Sequence, residues 1–266
     1  MAATLQTMMG KAARLVQRVY VRALFAGKRG LEIGGPSPFF RAGGYLPIYP
    51  YVRGLDGVNF AETTVWTEKI DQRRGYIVDG KRMGDQYIMD ATDLRGLPPG
   101  SYDFLLSCNN LEHIANPLRA VEQWIQVLKP GGLLLIVVPR KESNFDHRRA
   151  TVRFDHLMED YRNHVAEDDL THLQEILNLH DLAMDPQAGT PEDFRERSLN
   201  NFKHRCLHHH VFDMDVLRGI LVYFGMKAKR TVPVRTDYIA LGKRQRAAFP
   251  ATDPASFVEK PWNTAI

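Results

Sequence analysis

The chain has 266 residues, 44% hydrophobic and 25% charged, with 35 Lys and Arg against 31 Asp and Glu for a net charge of +4. A chain this long builds a core without disulfide or metal staples, and its two cysteines, Cys108 and Cys206, exclude a disulfide framework and a cysteine-rich zinc module. No apolar run approaches the ~20 residues that span a bilayer, and so small a basic excess does not of itself require nucleic acid. The N-terminus lacks an apolar signal-peptide core, so the expected setting is cytoplasmic.

Residues 3–26 read as a helix, with Leu5, Met8, Met9, Ala12, Leu15, Val16, Val19 and Ala23 at three- and four-residue steps. The other face is basic, carrying Lys11, Arg14, Arg18 and Arg22, and residues 1–30 hold no acid. Packing on the main domain is expected, with peripheral contact to an anionic membrane as the alternative. From residue 30, strands and helices alternate: strands over 30–33, 51–55, 86–89 and 102–107, a helix over 117–128, and a strand over 133–138. The helix has Asn116 as N-cap and Pro117 at its first position, and Lys129-Pro130-Gly131-Gly132 stops it. The last of these strands is apolar throughout, as one covered on both faces should be.

Residues 140–210 interrupt this rhythm with a polar insertion, helical near 155–164 and 168–180. A helix over 216–224 and strands over 226–234 and 237–242 resume it. The expected organisation is a basic helix (1–29), one α/β domain (30–246) containing the insertion, and a tail (247–266). The expected fold is Rossmann-like and doubly wound, with a mostly parallel seven-stranded sheet. Such sheets bind ligands at the carboxyl ends of their strands.

Three successive strand ends carry candidate ligand-binding residues. Leu31-Glu32-Ile33-Gly34-Gly35-Pro36 ends a strand where glycines admit close backbone approach. Asp56 follows the second strand and can accept from a ribose diol. Asp90, in Met89-Asp90-Ala91-Thr92, can accept from an adenine amino group. Together they describe a nucleoside site. A dinucleotide oxidoreductase fits less well, because the full Gly-x-Gly-x-x-Gly is missing.

The blocks LEIGGP, LDG, MDATDL, YDFLLSCNNLEHIANP and VLKPGGLLLIVVP resemble the class I S-adenosylmethionine-dependent methyltransferases over residues 30–140. The resemblance implies that Gly34 and Gly35 face the cofactor's methionine part, Asp56 its ribose, and Asp90 and Ala91 its adenine, with Glu32, Pro36 and Asn109 among the cofactor-binding residues. It departs from the family in one place: the usual Gly-x-Gly-x-Gly is here Gly34-Gly35-Pro36-Ser37-Pro38.

Moving a methyl group to an alcohol calls for a base, a task that suits histidine, or for a metal that lowers the alcohol's pKa. All ten histidines lie between His113 and His210. His113 follows Glu112 after the fourth strand, in a block where relatives can hold magnesium; Asn109 stands where those have Glu. Asp146-His147 lies beyond the fifth strand and can act as a base with its orienting acid. Asp168 and His172, four apart, would share a helix face with Glu175 and suit metal ligation or sugar hydroxyls. The catalytic candidates are therefore His113, Asp146, His147 and His172, and the metal candidates Glu112, His113 and Asp168. Of the run His208-His209-His210, one side chain is expected to face the pocket.

The insertion resembles, more loosely, a lid of methyltransferases associated with bacterial polysaccharide and glycolipid synthesis, through FDHRRATVRFDHLMEDY and EDDLTHL. That implies O-methylation of a saccharide or glycolipid hydroxyl, with S-adenosylmethionine and an optional Mg2+. RNA ribose 2′-O-methylation, a quinone or phenol acceptor, and a cofactor-binding protein without turnover are the alternatives.

Overall fold

The structure, a computed structural model, describes residues 15–66 and 69–245. The remainder of the expected N-terminal helix and the tail over 247–266 lie outside the described residues. A seven-stranded sheet organises the chain. Its strands are β1 (Arg29–Ile33), β2 (Gly54–Asn59), β5 (Gln86–Ile88), β6 (Tyr102–Cys108), β7 (Leu128–Pro139), β8 (Met226–Val234) and β9 (Asp237–Arg244), in the order β5-β2-β1-β6-β7-β9-β8. All neighbouring pairs are parallel except those made by β9, which runs against both β7 and β8. The order reverses at β1, which has β2 on one side and β6 on the other. That reversal opens a crevice at the strands' carboxyl ends.

β7 shows why the sheet is covered on both faces. Leu134, Ile136 and Val138 join one core cluster with Trp124, Ile125 and Leu128; Leu133, Leu135 and Val137 join a second with Phe104, Leu106 and Ile239. Side chains alternate along a strand, so an all-apolar run feeds two cores. Helices α2 (Pro117–Val127) and α7 (Met214–Tyr223) cover the first face. Asn116 caps α2 by accepting from the Arg119 N–H at 3.0 Å, as the sequence predicts. On the second face, helix α1 (residues 15–25) packs through Val21 and Phe25, whose ring meets Phe104 edge-on at 5.1 Å. The part of the expected apolar stripe within the described residues does not do the packing: Leu15, Val16 and Val19 are exposed, and Leu5, Met8, Met9 and Ala12 lie outside those residues.

Two sequence expectations shift. The second strand lies at 54–59 rather than 51–55. Gly57 sits inside it, where a Cβ would stand 2.1 Å from the Tyr76 ring; glycine marks a close approach. Between β2 and β5 the described residues hold no α-helix, but a hairpin of β3 (Tyr76–Val78) and β4 (Lys81–Gly84). Its turn is Asp79-Gly80, with φ of 49° and 77°, the conformation that tight hairpins favour.

In the insertion, α3 (Phe154–Arg162) falls where expected, but only α4 (Leu173–Leu179) forms within 168–180. Helices α5 (Pro191–Leu199) and α6 (Asn201–His204) follow. Thr190 and Asp193 start α5 with a reciprocal capping box. Ile176, Ala188, Phe194 and Leu207 give the insertion a small core of its own. No helix among the described residues is long and apolar enough to cross a membrane.

Candidate active site

A cavity of about 870 Å3 lies over the carboxyl ends of β1, β2, β5 and β6, with the insertion as its far wall. Gly34 follows β1, Asn59 ends β2, Asp90 and Ala91 follow β5, and Asn109 and Asn110 follow β6; all line it. Gly34 holds φ of 76°, and a Cβ there would meet the Asn110 amide at 2.6 Å. Glycine at this turn keeps the backbone bare toward the cavity. Asn109, the residue after β6, takes φ of 48°, which asparagine tolerates better than most residues.

Asp90 is held from two sides. Its Oδ1 accepts from the Thr92 N–H (2.8 Å) and hydroxyl (2.7 Å), and its Oδ2 accepts from Arg205 at 3.1 Å. The Arg205 guanidinium also reaches Glu167 at 3.1 Å and lies over the Phe60 ring. Burial pushes the Glu167 carboxyl up to about 7 despite that partner. Arg205, contributed by the insertion, therefore ties this wall to the adenine-side candidate. Nothing in the sequence near Arg205 signals this.

Several predicted cofactor contacts are structural instead. Asp56 is inside β2, fully buried, and away from the cavity: Arg29 and Tyr102 each donate to it at 2.8 Å, and the Asp85 N–H at 2.9 Å. The strand runs three residues beyond it, so Asn59 takes the strand-end position. Glu32 is sealed behind the glycine turn, accepting from Tyr49, Tyr76 and the Ser37 N–H. Burial raises its carboxyl to about 7 against those donors. Gly35 and Pro36 lie outside the cavity lining; a Cβ on Gly35 would run into Tyr76 and Glu32.

The chemistry-bearing side chains meet at the junction with the insertion. Glu112, His113 and His208 line the cavity, and each offers a ligand atom within 4.8 Å of the others. The His113 Nδ1 lies 3.1 Å from the Leu207 carbonyl, an acceptor only, so Nδ1 carries the proton and Nε2 keeps its lone pair. Burial, helped by the nearby His208, pushes the His113 pKa well below its ordinary value. His208 is different. Burial alone would lower its pKa, but the Asp146 carboxylate, 2.5 Å from its Nδ1, outweighs that and raises it. Asp146 is in turn held at about 2, against its burial, by His208 and Arg149. Arg149 completes the buried group, donating to Asp146 at 3.0 Å and to the His208 carbonyl at 2.7 Å. Glu112 is buried with no hydrogen-bond partner for either oxygen among the described residues, and burial raises its carboxyl to about 7.

His147 is not part of this group. It pairs on the surface with Asp181 at 2.9 Å and is absent from the cavity lining; Asp146 points inward to His208, and its neighbour points out. Asp168 is also exposed and lines neither the strand-end cavity nor the one beside His172. Residues 168–172 are not helical, since α4 begins at Leu173, so Asp168 and His172 share no helix face. His172 lies in a separate cluster with His156 and His210. The residue that joins Glu112 and His113 is His208, from the run in which one pocket-facing histidine is expected.

The cavity suits an adenosine-bearing ligand: bare backbone at Gly34, amide side chains at Asn59 and Asn109, and a strand-end carboxylate at Asp90. It does not suit magnesium. That ion demands near-octahedral oxygen ligands, and the group at Glu112, His113 and His208 offers a single carboxylate beside two imidazoles, with His208 committed to Asp146.

The methyltransferase-domain family matches this chain over residues 5–185. No curated protein matches it. Among solved structures, an S-adenosylmethionine-dependent methyltransferase from Aquifex aeolicus is 16% identical, with 85% of this chain and 86% of that one covered and a TM-score of 0.45. A possible histamine N-methyltransferase from Thermotoga maritima is 16% identical, covering 92% and 100%, with a TM-score of 0.45. The N-methyltransferase NodS from Bradyrhizobium japonicum is 12% identical, covering 88% and 96%, with a TM-score of 0.46. The substrates in those names belong to those proteins alone. With the family matched over most of its length, the chain belongs to the methyltransferase-domain family and is an S-adenosylmethionine-dependent methyltransferase.

Proposed function

We propose that this enzyme methylates a hydroxyl of a saccharide or glycolipid precursor, with His113 as the general base. The observation that carries the reading is the wiring of His113. Its Nδ1 is tied to the Leu207 carbonyl, and its Nε2 is left with a lone pair beside the cavity. A depressed pKa keeps that lone pair free at neutral pH.

S-adenosylmethionine, when bound, supplies a methyl group on a positively charged sulfur. Gly34 and Asn109 would meet its methionine side, Asn59 its ribose, and Asp90 and Ala91 its adenine. Arg205 fixes the Asp90 carboxylate in position for that contact. The acceptor hydroxyl would give its proton to His113 Nε2 as its oxygen takes the methyl group, the S–C bond breaking with its electron pair left on sulfur as a neutral thioether. The adjoining Glu112 carboxyl, when ionised, steadies the imidazolium that results. His208 holds its own proton on the Asp146 side; it orients the wall and does not serve as base.

A polyhydroxylated acceptor is supported by the rest of the lining. Asn144, Asp185, Gln187 and Arg197 offer donors and acceptors, while Trp66 and Phe145 offer ring faces. A pocket that mixes apolar faces with a few placed polar groups orients such a ligand.

The test is methyl transfer from labelled S-adenosylmethionine to a panel of oligosaccharides and glycolipids, with RNA and simple phenols in parallel and chelator in half the reactions. Label in a saccharide hydroxyl, unaffected by chelator, is expected. Label only in RNA or a phenol would sink the acceptor assignment.

A further inference from the structure

Three of the histidines that the active site does not use form a second group. His156 and Asp160 sit one turn apart on α3, His172 precedes α4, and His210 follows α6. One nitrogen from each of the three histidines lies within 4.8 Å of the other two. The His156 and His172 Nε2 atoms face each other at 2.9 Å. Asp160 Oδ2 lies 3.4 Å from His156 Nε2 and 3.3 Å from His210 Nε2.

We propose that His156, His172, His210 and Asp160 form a zinc site that pins three segments of the insertion together. Two ring nitrogens pointed at each other share one proton at most; a cation between them uses both lone pairs. Tetrahedral zinc with Zn–N bonds of about 2.0–2.1 Å separates its nitrogen ligands by roughly 3.3 Å, close to the spacing here. Three imidazoles and one carboxylate are a donor set for zinc and not for magnesium or calcium. The buried Asp160 Oδ2 makes no hydrogen bond among the described residues beyond its approach to the two imidazoles, and His210 Nδ1 has no partner there while its Nε2 lies 3.2 Å from the Ala115 carbonyl.

The surroundings match as well. Metal-bound histidines commonly present their other nitrogen to a carboxylate. Here Glu159 lies 4.0 Å from His156 Nδ1, and Glu175 lies 3.7 Å from His172 Nδ1. A cavity of about 300 Å3 lined by His156, His172 and His210 gives an ion access. Glu175 also accepts from Arg149 at 3.1 Å, and Arg149 is the residue that holds Asp146. The site therefore braces the wall that carries the His208–Asp146 pair.

The experiment uses the full chain without a histidine tag, loaded with zinc, dialysed, and assayed by elemental analysis. About one zinc per chain is expected, and cobalt substitution should give the intense visible absorption of a tetrahedral centre. The His156→Ala/His172→Ala double variant should lose the metal, whereas His113→Ala should keep it. Glu175→Gln, which leaves every ligand in place, should weaken zinc binding roughly 10- to 100-fold. Binding of S-adenosylmethionine by each variant reports that it is folded. A folded chain that takes up no zinc would overturn the proposal, as would a folded double variant that retains it in full.

Discussion

Two histidine clusters, which take His208 and His210 from the same run, are wired differently. In the strand-end cavity every ring has its partner: His113 donates to the Leu207 carbonyl and His208 is locked to Asp146. In the second cluster, His156 and His172 turn nitrogens on each other, and His210, its Nε2 3.2 Å from the Ala115 carbonyl, keeps Nδ1 unpaired among the described residues. The residue type is the same, and the second atom bonded to each ring sets its chemistry. In the first group the proton sits on the nitrogen facing Leu207 and leaves a base toward the cavity; in the second, nitrogens of three rings converge beside Asp160 and offer ligands.

The sharpest way to break this contrast is to remove the base. His113→Ala should lower methyl transfer by ~10²–10⁴-fold while leaving S-adenosylmethionine affinity nearly unchanged, read by single-turnover transfer and calorimetry. An equal loss in both would demote His113 to a packing role. Next, Asp146→Ala leaves His208 and Arg149 buried without their carboxylate and should destabilise the fold by about 3–5 kcal/mol at neutral pH. Asp146 has a depressed pKa, so its stabilisation is full above the ordinary carboxylate value and is lost as pH falls toward about 2. The melting difference between the variant and the parent should shrink over that range. A constant difference would mean that the carboxylate's charge is not what matters.

Arg205→Ala should weaken cofactor binding about tenfold, about 1.4 kcal/mol, by releasing Asp90 and Glu167, with less effect on turnover at saturating cofactor. An unchanged Kd would separate Asp90 from the cofactor contact. The pH profile is a gentler probe. Because burial and His208 depress the His113 pKa, the acid limb of kcat/KM should fall below pH ~6.5, the ordinary histidine value. A limb at or above that value would assign the base elsewhere. The smallest effect is expected at His147, whose replacement by Ala should change turnover by no more than about twofold, as at most surface positions.

Burial and hydrogen bonding explain which site residues the sequence misplaces. Asp56 and Glu32 look like ligand-binding acids because they stand near strand ends beside glycines. Arg29, Tyr102, Tyr49 and Tyr76, all distant in sequence, claim them instead. His147 has the right place in the chain but the wrong side of its loop. Arg205 and His208 come from the insertion; the run His208-His209-His210 points to one pocket-facing histidine without saying which, nothing nearby marks Arg205, and long-range folding brings both to the cavity.

The sequence by itself determined the sheet's apolar strands, the Asn116 cap, the glycine turn after β1 and Asp90 after β5, because each depends on neighbours a few residues away. Only the tertiary structure decided which acids are sealed and which histidines face a ligand. A side chain's protonation and its free lone pairs depend on partners that the chain brings together from as far apart as His113 and Leu207 or Asp146 and His208.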